Sequence, residues 1–364
     1  MAFATRSPNF SAGPAALPEP VLGQIKDELL NWRNTGASVM EVSHRSEVFI
    51  EMARQMESDL RDLLSIPENY KVLFLQGGGA MQFAQIPMNL AGRGQVADYV
   101  DTGHWASKAV SVAKQFVDVR VVAGVAATDQ KVLPREKDWR ISKSPAYLHY
   151  TANETIDGLE FHWVPEVDDS IPLVGDFSAN ILSGPLDVSR FGLIYAGAQK
   201  NIGPSGMTLV IVREDLFGRV HAYCPDILNY EVLAKSESMY NTPATFAWYA
   251  SSLVFQWIKK EGGLEEMCRR SLRKQELLYR QIDSTGFYTN DVAAPDRSYM
   301  NVPFRILEQR LEEVFLTEAT ENGLLGLKGH RAKGGIRASI YNAVPEEAVQ
   351  ELVDYMVDFE RRHG

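Results

Sequence analysis

A lysine set in a glycine-rich turn is the first residue here whose setting suggests chemistry. Lys200 stands in IYAGAQKNIGPSG, Ile194 to Gly206, directly after the apolar run GLIYAG. Most lysines are solvated surface residues. This one is flanked by Gly197, Gly203 and Gly206, which let the backbone bend and let a ligand approach closely. A lysine held in such a place has the chemistry to form a Schiff base with a carbonyl cofactor. Asp176 ends a second apolar run, IPLVGDFS. An aspartate there can simply cap a turn. It can equally reach a pocket at the strand ends, where a carboxylate facing a pyridine nitrogen keeps that ring protonated and makes it an electron sink. In QGGGAMQF, Gly77, Gly78 and Gly79 fall where a strand gives way to a helix. Free N–H groups and the helix dipole suit a phosphate there. The run is neither a P-loop nor a dinucleotide fingerprint, and a ligand-free turn would use glycines too. Trp105, in DTGHWASKA, follows another strand and opens a helix. Tryptophans mostly pack cores, yet a flat indole here can also stack on an aromatic ring.

These residues need a scaffold that gathers strand ends, and the pattern supplies one. Apolar Phe49, Met52, Ala53, Met56, Leu60, Leu63 and Leu64 recur at helical spacing between Glu47 and Leu64. KVLFLQ then reads as a buried strand, and AMQFAQIPMNL as the next helix. VADYVD, VRVVAG, AYLHYT, IPLVGDFS, GLIYAG and TLVIVRE are further strand candidates. Short strands alternating with helices predict an α/β fold with a mostly parallel sheet covered on both faces. Its loops then gather along one sheet edge. After about Gly262 the pattern changes. A long charged helix through LEEMCRRSLRKQELLYRQI leads to strand candidates SYMNVPFRI and GGIRASIYN, then to a last helix with Val349, Leu352, Val353 and Met356 on one face. The expected division is a large domain over 16–262 and a small α/β domain over 263–364 joined by segment 1–15.

The chain has 364 residues, 45% hydrophobic and 23% charged, an ordinary globular composition. A net charge of -10 argues against nucleic acid as the main partner and leaves room for a local basic pocket. Cys224 and Cys268 form no CxxC pair and no metal-ligand spacing, which fits free thiols in a reducing compartment. MAFATRSPNFSAGPAALP has no apolar core of signal-peptide length. No apolar run approaches the roughly 20 residues that span a bilayer. The expectation is a cytoplasmic protein with no metal and no membrane partner.

Taken together, HYTANETIDG, GDFSANILSGPLDVSRFGLIYAGAQKNIGPSGMTLVIVRED, NTPATFAWY and GHRAKGGIRASIYNA resemble the phosphoserine aminotransferase family. That family belongs to the aspartate aminotransferase-like, fold type I enzymes that use pyridoxal 5'-phosphate. The resemblance runs from NFSAGPAALP to ASIYNA. It implies that Lys200 is the Schiff-base lysine, that Gln199 contacts the cofactor phosphate and that Asp176 pairs with the pyridinium nitrogen. It implies that Trp105 stacks on the ring, that Thr155 bonds the ring hydroxyl, and that Gly79 and Ala80 offer backbone N–H groups to the phosphate. Asn241 and Thr242 would reach that phosphate from the neighbouring subunit of a homodimer. Arg337 would hold the α-carboxylate of the small-molecule substrate, and His44, Arg45, His330 and Arg331 would face its distal anion. The implied reaction is transamination between O-phospho-L-serine and 3-phosphohydroxypyruvate, coupled to L-glutamate and 2-oxoglutarate, in L-serine biosynthesis. Whether 4-phosphohydroxy-L-threonine of pyridoxine biosynthesis is a second substrate is left open.

Two departures stand out. Some family members carry an arginine where this chain has Ala80, and some a serine where it has Ala12. Both touch substrate contacts, and neither touches Lys200 or Asp176. The competing expectations are an alanine–glyoxylate-type aminotransferase and a non-catalytic relative that binds pyridoxal phosphate. A cysteine desulfurase ranks lower, because neither cysteine lies in an evident mobile loop. Retention of both Lys200 and Asp176 speaks for catalysis.

Overall fold

The apolar spacing from Glu47 to Leu64 is realised as a helix over those same residues, with Phe49, Met52, Met56 and Leu60 buried. The computed structural model describes residues 6–92, 94–126 and 129–364, so the first five residues of the expected small-domain segment lie outside it. In chain order the helices are α1 (Glu19–Glu28), α2 (Glu47–Leu64), α3 (Gly78–Leu90), α4 (His104–Ala113), α5 (Tyr230–Lys235), α6 (Thr245–Lys260), α7 (Gly263–Asp283), α8 (Leu311–Glu321) and α9 (Glu346–His363). The strands are β1 (Tyr70–Leu75), β2 (Val96–Asp101), β3 (Asp118–Gly124), β4 (Leu148–Thr151), β5 (Asn153–Glu154), β6 (Leu159–Glu160), β7 (Leu173–Asp176), β8 (Leu193–Gly197), β9 (Thr208–Arg213), β10 (Tyr288–Thr289), β11 (Asn301–Ile306) and β12 (Ile336–Ser339).

Seven strands form one sheet in the order β1-β9-β8-β7-β4-β2-β3. Neighbours from β8 to β3 are parallel, while β9 runs against both β8 and β1. Six strands therefore end on one edge, as the mostly parallel reading requires, and one returns. The return is a matter of length. Residues 198–207 join β8 to β9, and a parallel crossover needs a dozen residues or more.

Strand alternation sorts the side chains into two cores. Leu73, Leu75, Val174, Leu193, Val210 and Val212 face α3 and α4. Phe74, Leu173, Ile194, Leu209 and Ile211 face the layer of α2 and α6. The register also fixes what stands beside Asp176. Its direct partners are Thr151 on β4 and Tyr195 on β8, and two residues before Thr151, His149 pairs with Tyr99. All five side chains thus share the α3 and α4 face.

A second, three-stranded antiparallel sheet, β10-β11-β12, packs with α8, α9 and the C-terminal half of α7. Phe10 and Ala16 join this core, and Phe10 is laced to Leu325 and Ser339 through backbone hydrogen bonds. Leu264 and Met267 at the start of α7 belong to the larger core, whereas Leu278, Tyr279 and Ile282 belong to the second.

Candidate active site

The turn that carries Lys200 is pinned on both sides. Ala198 donates its N–H to Met207 and accepts at its carbonyl from Lys200 and Gly203. Asn201 donates to the Ile181 carbonyl at 3.0 Å and accepts from the Asn342 N–H at 3.0 Å. At Gly203 a side chain is excluded, since a Cβ would come within 2.4 Å of Ser251 Oγ. The ammonium so placed donates to Thr155 Oγ1 at 2.5 Å. Burial lowers the Lys200 amine to about 8, Asp176 opposes that shift and Arg337 adds to it. An amine with that pKa is mostly protonated at pH 7, yet its free-base fraction is on the order of a hundred times that of an ordinary lysine.

Asp176 is buried, and burial pushes its carboxyl up. Four groups pull the other way: the Ser178 hydroxyl and N–H, Lys200, and Tyr195. The Ser178 N–H reaches Asp176 Oδ1 at 2.9 Å, and the Ser178 hydroxyl accepts the Gly197 N–H at 3.0 Å. Behind Tyr195, its hydroxyl lies 3.0 Å from His149 Nε2, and the His149 ring stacks on Tyr99 at 4.8 Å. Burial drives His149 down to about 3, so it is neutral. A carboxylate only accepts, so the Tyr195 proton points at Asp176 and His149 donates from Nε2. The Nδ1 atom, which has no partner among the described residues, is then a bare acceptor rather than a stranded donor.

The start of α3 offers backbone donors. Gly77 at its cap has no side chain to satisfy the N–H groups of Gly78, Gly79 and Ala80. A Cβ on Gly79 would lie 3.2 Å from Ser178 Oγ, so the backbone there closes directly on the Asp176 loop. The first turn of α4 is capped by carboxylates instead. Glu154 accepts the N–H groups of Trp105 and Ala106 at 3.0 and 2.7 Å, and Asp157 accepts that of His104 at 3.1 Å. Burial raises Glu154 to about 7 despite those two donors. Trp105 Nε1 is buried and unpartnered among the described residues.

Lys200, Asp176, Thr155, Trp105, Gly79, Ala80 and Gln199 all border one cavity of about 220 Å³. A larger hollow of about 630 Å³ lies elsewhere, between the N-terminal segment, α7 and the start of α9. Of its three arginines, Arg270 and Arg273 are already paired with Glu261, Glu266 and Glu346, and Arg6 donates to the Leu17 carbonyl.

Known proteins match this arrangement end to end. A sequence model of the class V aminotransferases covers residues 8–352. A phosphoserine aminotransferase of Azotobacter vinelandii is 58% identical over 359 residues, 99% of each chain. The chain belongs to the phosphoserine aminotransferase family. A solved phosphoserine aminotransferase from Bacillus circulans subsp. alkalophilus superposes with a TM-score of 0.96 at 46% identity, over 99% of this chain and 100% of that one. The pyridoxal-phosphate-bound phosphoserine aminotransferase from Trichomonas vaginalis gives 0.92 at 40% identity, over 97% and 100%.

Not every residue singled out in this family member borders the cavity. Arg337, on β12, reaches the Thr155 carbonyl with Nη1 at 3.4 Å, and its buried Nε has no partner among the described residues. His330 and Arg337 border a smaller neighbouring cavity of about 120 Å³, while Arg331 is exposed. His44 and Arg45 stand in the loop before α2. Asn241 lines an apolar groove with Gly77 and Met81, and the Thr242 carbonyl accepts from Gln76 at 2.9 Å. Within one chain none of these last four touches the cavity around Lys200. Sequence reasoning missed Ser178, Tyr195, His149, Glu154 and His104. Only Ser178 carried a local signal, an aspartate two residues before a serine, which favours an Asx turn. The others depend on strand register.

Proposed function

We propose that this chain is a pyridoxal 5'-phosphate-dependent transaminase that interconverts O-phospho-L-serine and 3-phosphohydroxypyruvate at the expense of 2-oxoglutarate and L-glutamate, a step of L-serine biosynthesis. The observation that carries the reading is convergence. Lys200, Asp176 and Thr155 border one cavity, and Arg337, a mostly buried guanidinium with no carboxylate partner among the described residues, bonds the Thr155 carbonyl beside it. The site fits the cofactor on its own features. N–H groups at the start of α3 that no capping side chain takes up suit its phosphate. A buried carboxylate held by several donors suits a ring nitrogen, and the Trp105 indole at the cavity wall suits a ring face. When bound, pyridoxal phosphate supplies an aldehyde for an amine and a ring that takes up the electron pair left at the substrate's α-carbon.

The chain's own residues do the rest. Gly79, Ala80 and Gln199 hold the cofactor phosphate, with Asn241 and Thr242 of a second copy completing the shell. Thr155 meets the ring hydroxyl, and Asp176 stays ionised against the ring nitrogen. Lys200, with its amine lowered to about 8, takes the proton from the substrate's α-carbon and returns it later. Arg337 clamps the α-carboxylate in its planar fork. His330 and Arg331, with His44 and Arg45, meet the distal carboxylate or phosphate.

The molecule works as an isologous homodimer in the cytoplasm. No helix among the described residues is long and apolar enough to cross a membrane. Residues 263–364 with 1–15 act as a small domain against a large one over 16–262. An alanine–glyoxylate-type activity has no support comparable to the 58% identity above. The test is glutamate-dependent transamination of 3-phosphohydroxypyruvate by the purified protein loaded with cofactor. Borohydride reduction and peptide mapping should place the cofactor on Lys200. No turnover, or a label on another lysine, overturns the reading. Sedimentation should give a dimer, and a fully active monomer would remove Asn241 and Thr242 from the site.

A further inference from the structure

Four side chains that are cationic, or become so, gather beside the Lys200 cavity without a carboxylate partner among the described residues. They are Arg337 on β12, His330 and Arg331 on the loop before it, and His104 at the first turn of α4. The His104 and His330 rings lie 5.4 Å apart, tilted by 52°. His330 Nδ1 accepts the Ala332 N–H at 3.2 Å, which leaves the His330 proton on Nε2. The neighbouring lysines are different. Lys333 is bound to Asp157, and Lys131 to Asp157 and Asp291. The nearest carboxylates are also spoken for: Glu154 and Asp157 accept the backbone N–H groups at the start of α4. Lys108, one turn further along α4, lies over the Trp105 ring at 5.3 Å. What remains is a cluster of donors with no acceptor, which is the signature of an anion site.

We propose that His104 is a specificity-determining ligand of the substrate's distal anion, acting with His330 as an imidazole pair that takes up a proton when a phosphate binds. The proposal rests on the transaminase reading above and adds to it a residue that the family resemblance did not assign. In the free protein, burial and the charges of His104, Arg337 and Arg331 hold the His330 imidazole below its ordinary value. A protonated His330 would stand against those same groups with no counter-charge, so it resists protonation until one arrives. A phosphate monoester carries nearly two negative charges at neutral pH and three strong acceptor oxygens. It can meet both rings and stabilise the extra proton. The distal carboxylate of glutamate carries one charge and gives the pair less reason to take it up. The difference between the two substrates is thereby converted into a difference in bound protons.

The test uses the cofactor-loaded enzyme, with His104→Phe to keep the ring packed on His330 and His104→Gln to keep a donor that does not titrate. Inorganic phosphate is the calorimetric probe, titrated in buffers of different ionisation enthalpy. The wild type should take up more protons on binding phosphate than either variant. In single-turnover kinetics His104→Phe should lower kcat/KM for O-phosphoserine by roughly 10- to 150-fold, the worth of one charge-assisted hydrogen bond. Glutamate should fall by a smaller factor. The wild-type preference for phosphoserine should shrink as pH rises through the histidine range, and that slope should flatten in His104→Gln. Equal losses with both substrates, or proton uptake unchanged in both variants, would overturn the role of His104 while wild-type transamination stood. A wild type that transaminates neither substrate would instead overturn the underlying reading. If His104→Phe fails to fold, His104→Gln alone decides through proton uptake.

Discussion

Removing one buried oxygen should shift the working range of the whole site. Tyr195→Phe deletes the hydroxyl that stands between His149 and Asp176 on the sheet face beneath α3 and α4. Asp176 then loses a donor while burial, which already pushes its carboxyl up, stays in place. A hydrogen bond to a charged group contributes about 1.5–3 kcal/mol. The ionised form of Asp176 should therefore lose about 1.5–3 kcal/mol of stabilisation, and its carboxyl should rise further. The sign follows directly. A higher pKa leaves less carboxylate at a given pH, so the loss appears on the acid side and recovers as pH rises. Stopped-flow rates of each half-reaction across pH should show the acid limb displaced to higher pH. Infrared difference spectra of the cofactor-free protein, with Asp176→Asn as reference, should show the protonated carboxyl persisting to higher pH. An acid limb and a carboxyl band that coincide with wild type would refute the reasoning. A thermal melt separates this from misfolding, since the variant also strands the His149 donor.

Labelling of Lys200 by an amine-specific reagent in cofactor-free protein should rise with a midpoint near pH 8, because burial lowers the amine to about that value; a midpoint near that of free lysine would contradict the burial argument. Arg331→Ala should weaken the phosphoserine half-reaction by roughly 10- to 150-fold and the glutamate one by less, and equal single-turnover losses would show that it is no discriminator. Gly158→Ala, in the hairpin turn just after Thr155, has φ +74° and would bring a Cβ within 2.4 Å of Pro303 Cδ. It should cost about 1–3 kcal/mol in denaturant unfolding, and a neutral result would mean that the turn yields freely.

Much of this fold is legible in the amino-acid sequence. The seven strands of the main sheet sit on the runs that apolar clustering picks out, and VADYVD matches β2 residue for residue. Lys200 and Asp176 declare themselves because each follows such a run directly, at the edge where strands end. What stayed hidden depends on pairing rather than on pattern. β9 reads like any other buried strand, and only the short link after β8 betrays that it returns. β5, β6 and β10 span two residues each, too few to show a period. Tyr195, His149 and Tyr99 sit in three different apolar runs, and nothing but register makes them neighbours. His104 needed the fold of a distant loop to meet His330.

The long helix α7 has a mechanical consequence. Its 21 residues form a rod of about 31 Å. One end is set among Leu264 and Met267 in the larger core, the other among Leu278, Tyr279 and Ile282 in the second. Between them Lys274 is buried and grips the carbonyls of Ile340, Tyr341 and Val344 at 2.7–2.9 Å. A rod clamped at both ends does not fold in the middle, so that grip acts as a fulcrum. Tilting by about five degrees there would carry an end roughly 16 Å away through about 1.4 Å. The fulcrum lies against Asn342, whose N–H reaches Asn201, the residue after Lys200. A tilt of the second core would therefore be felt one residue from Lys200.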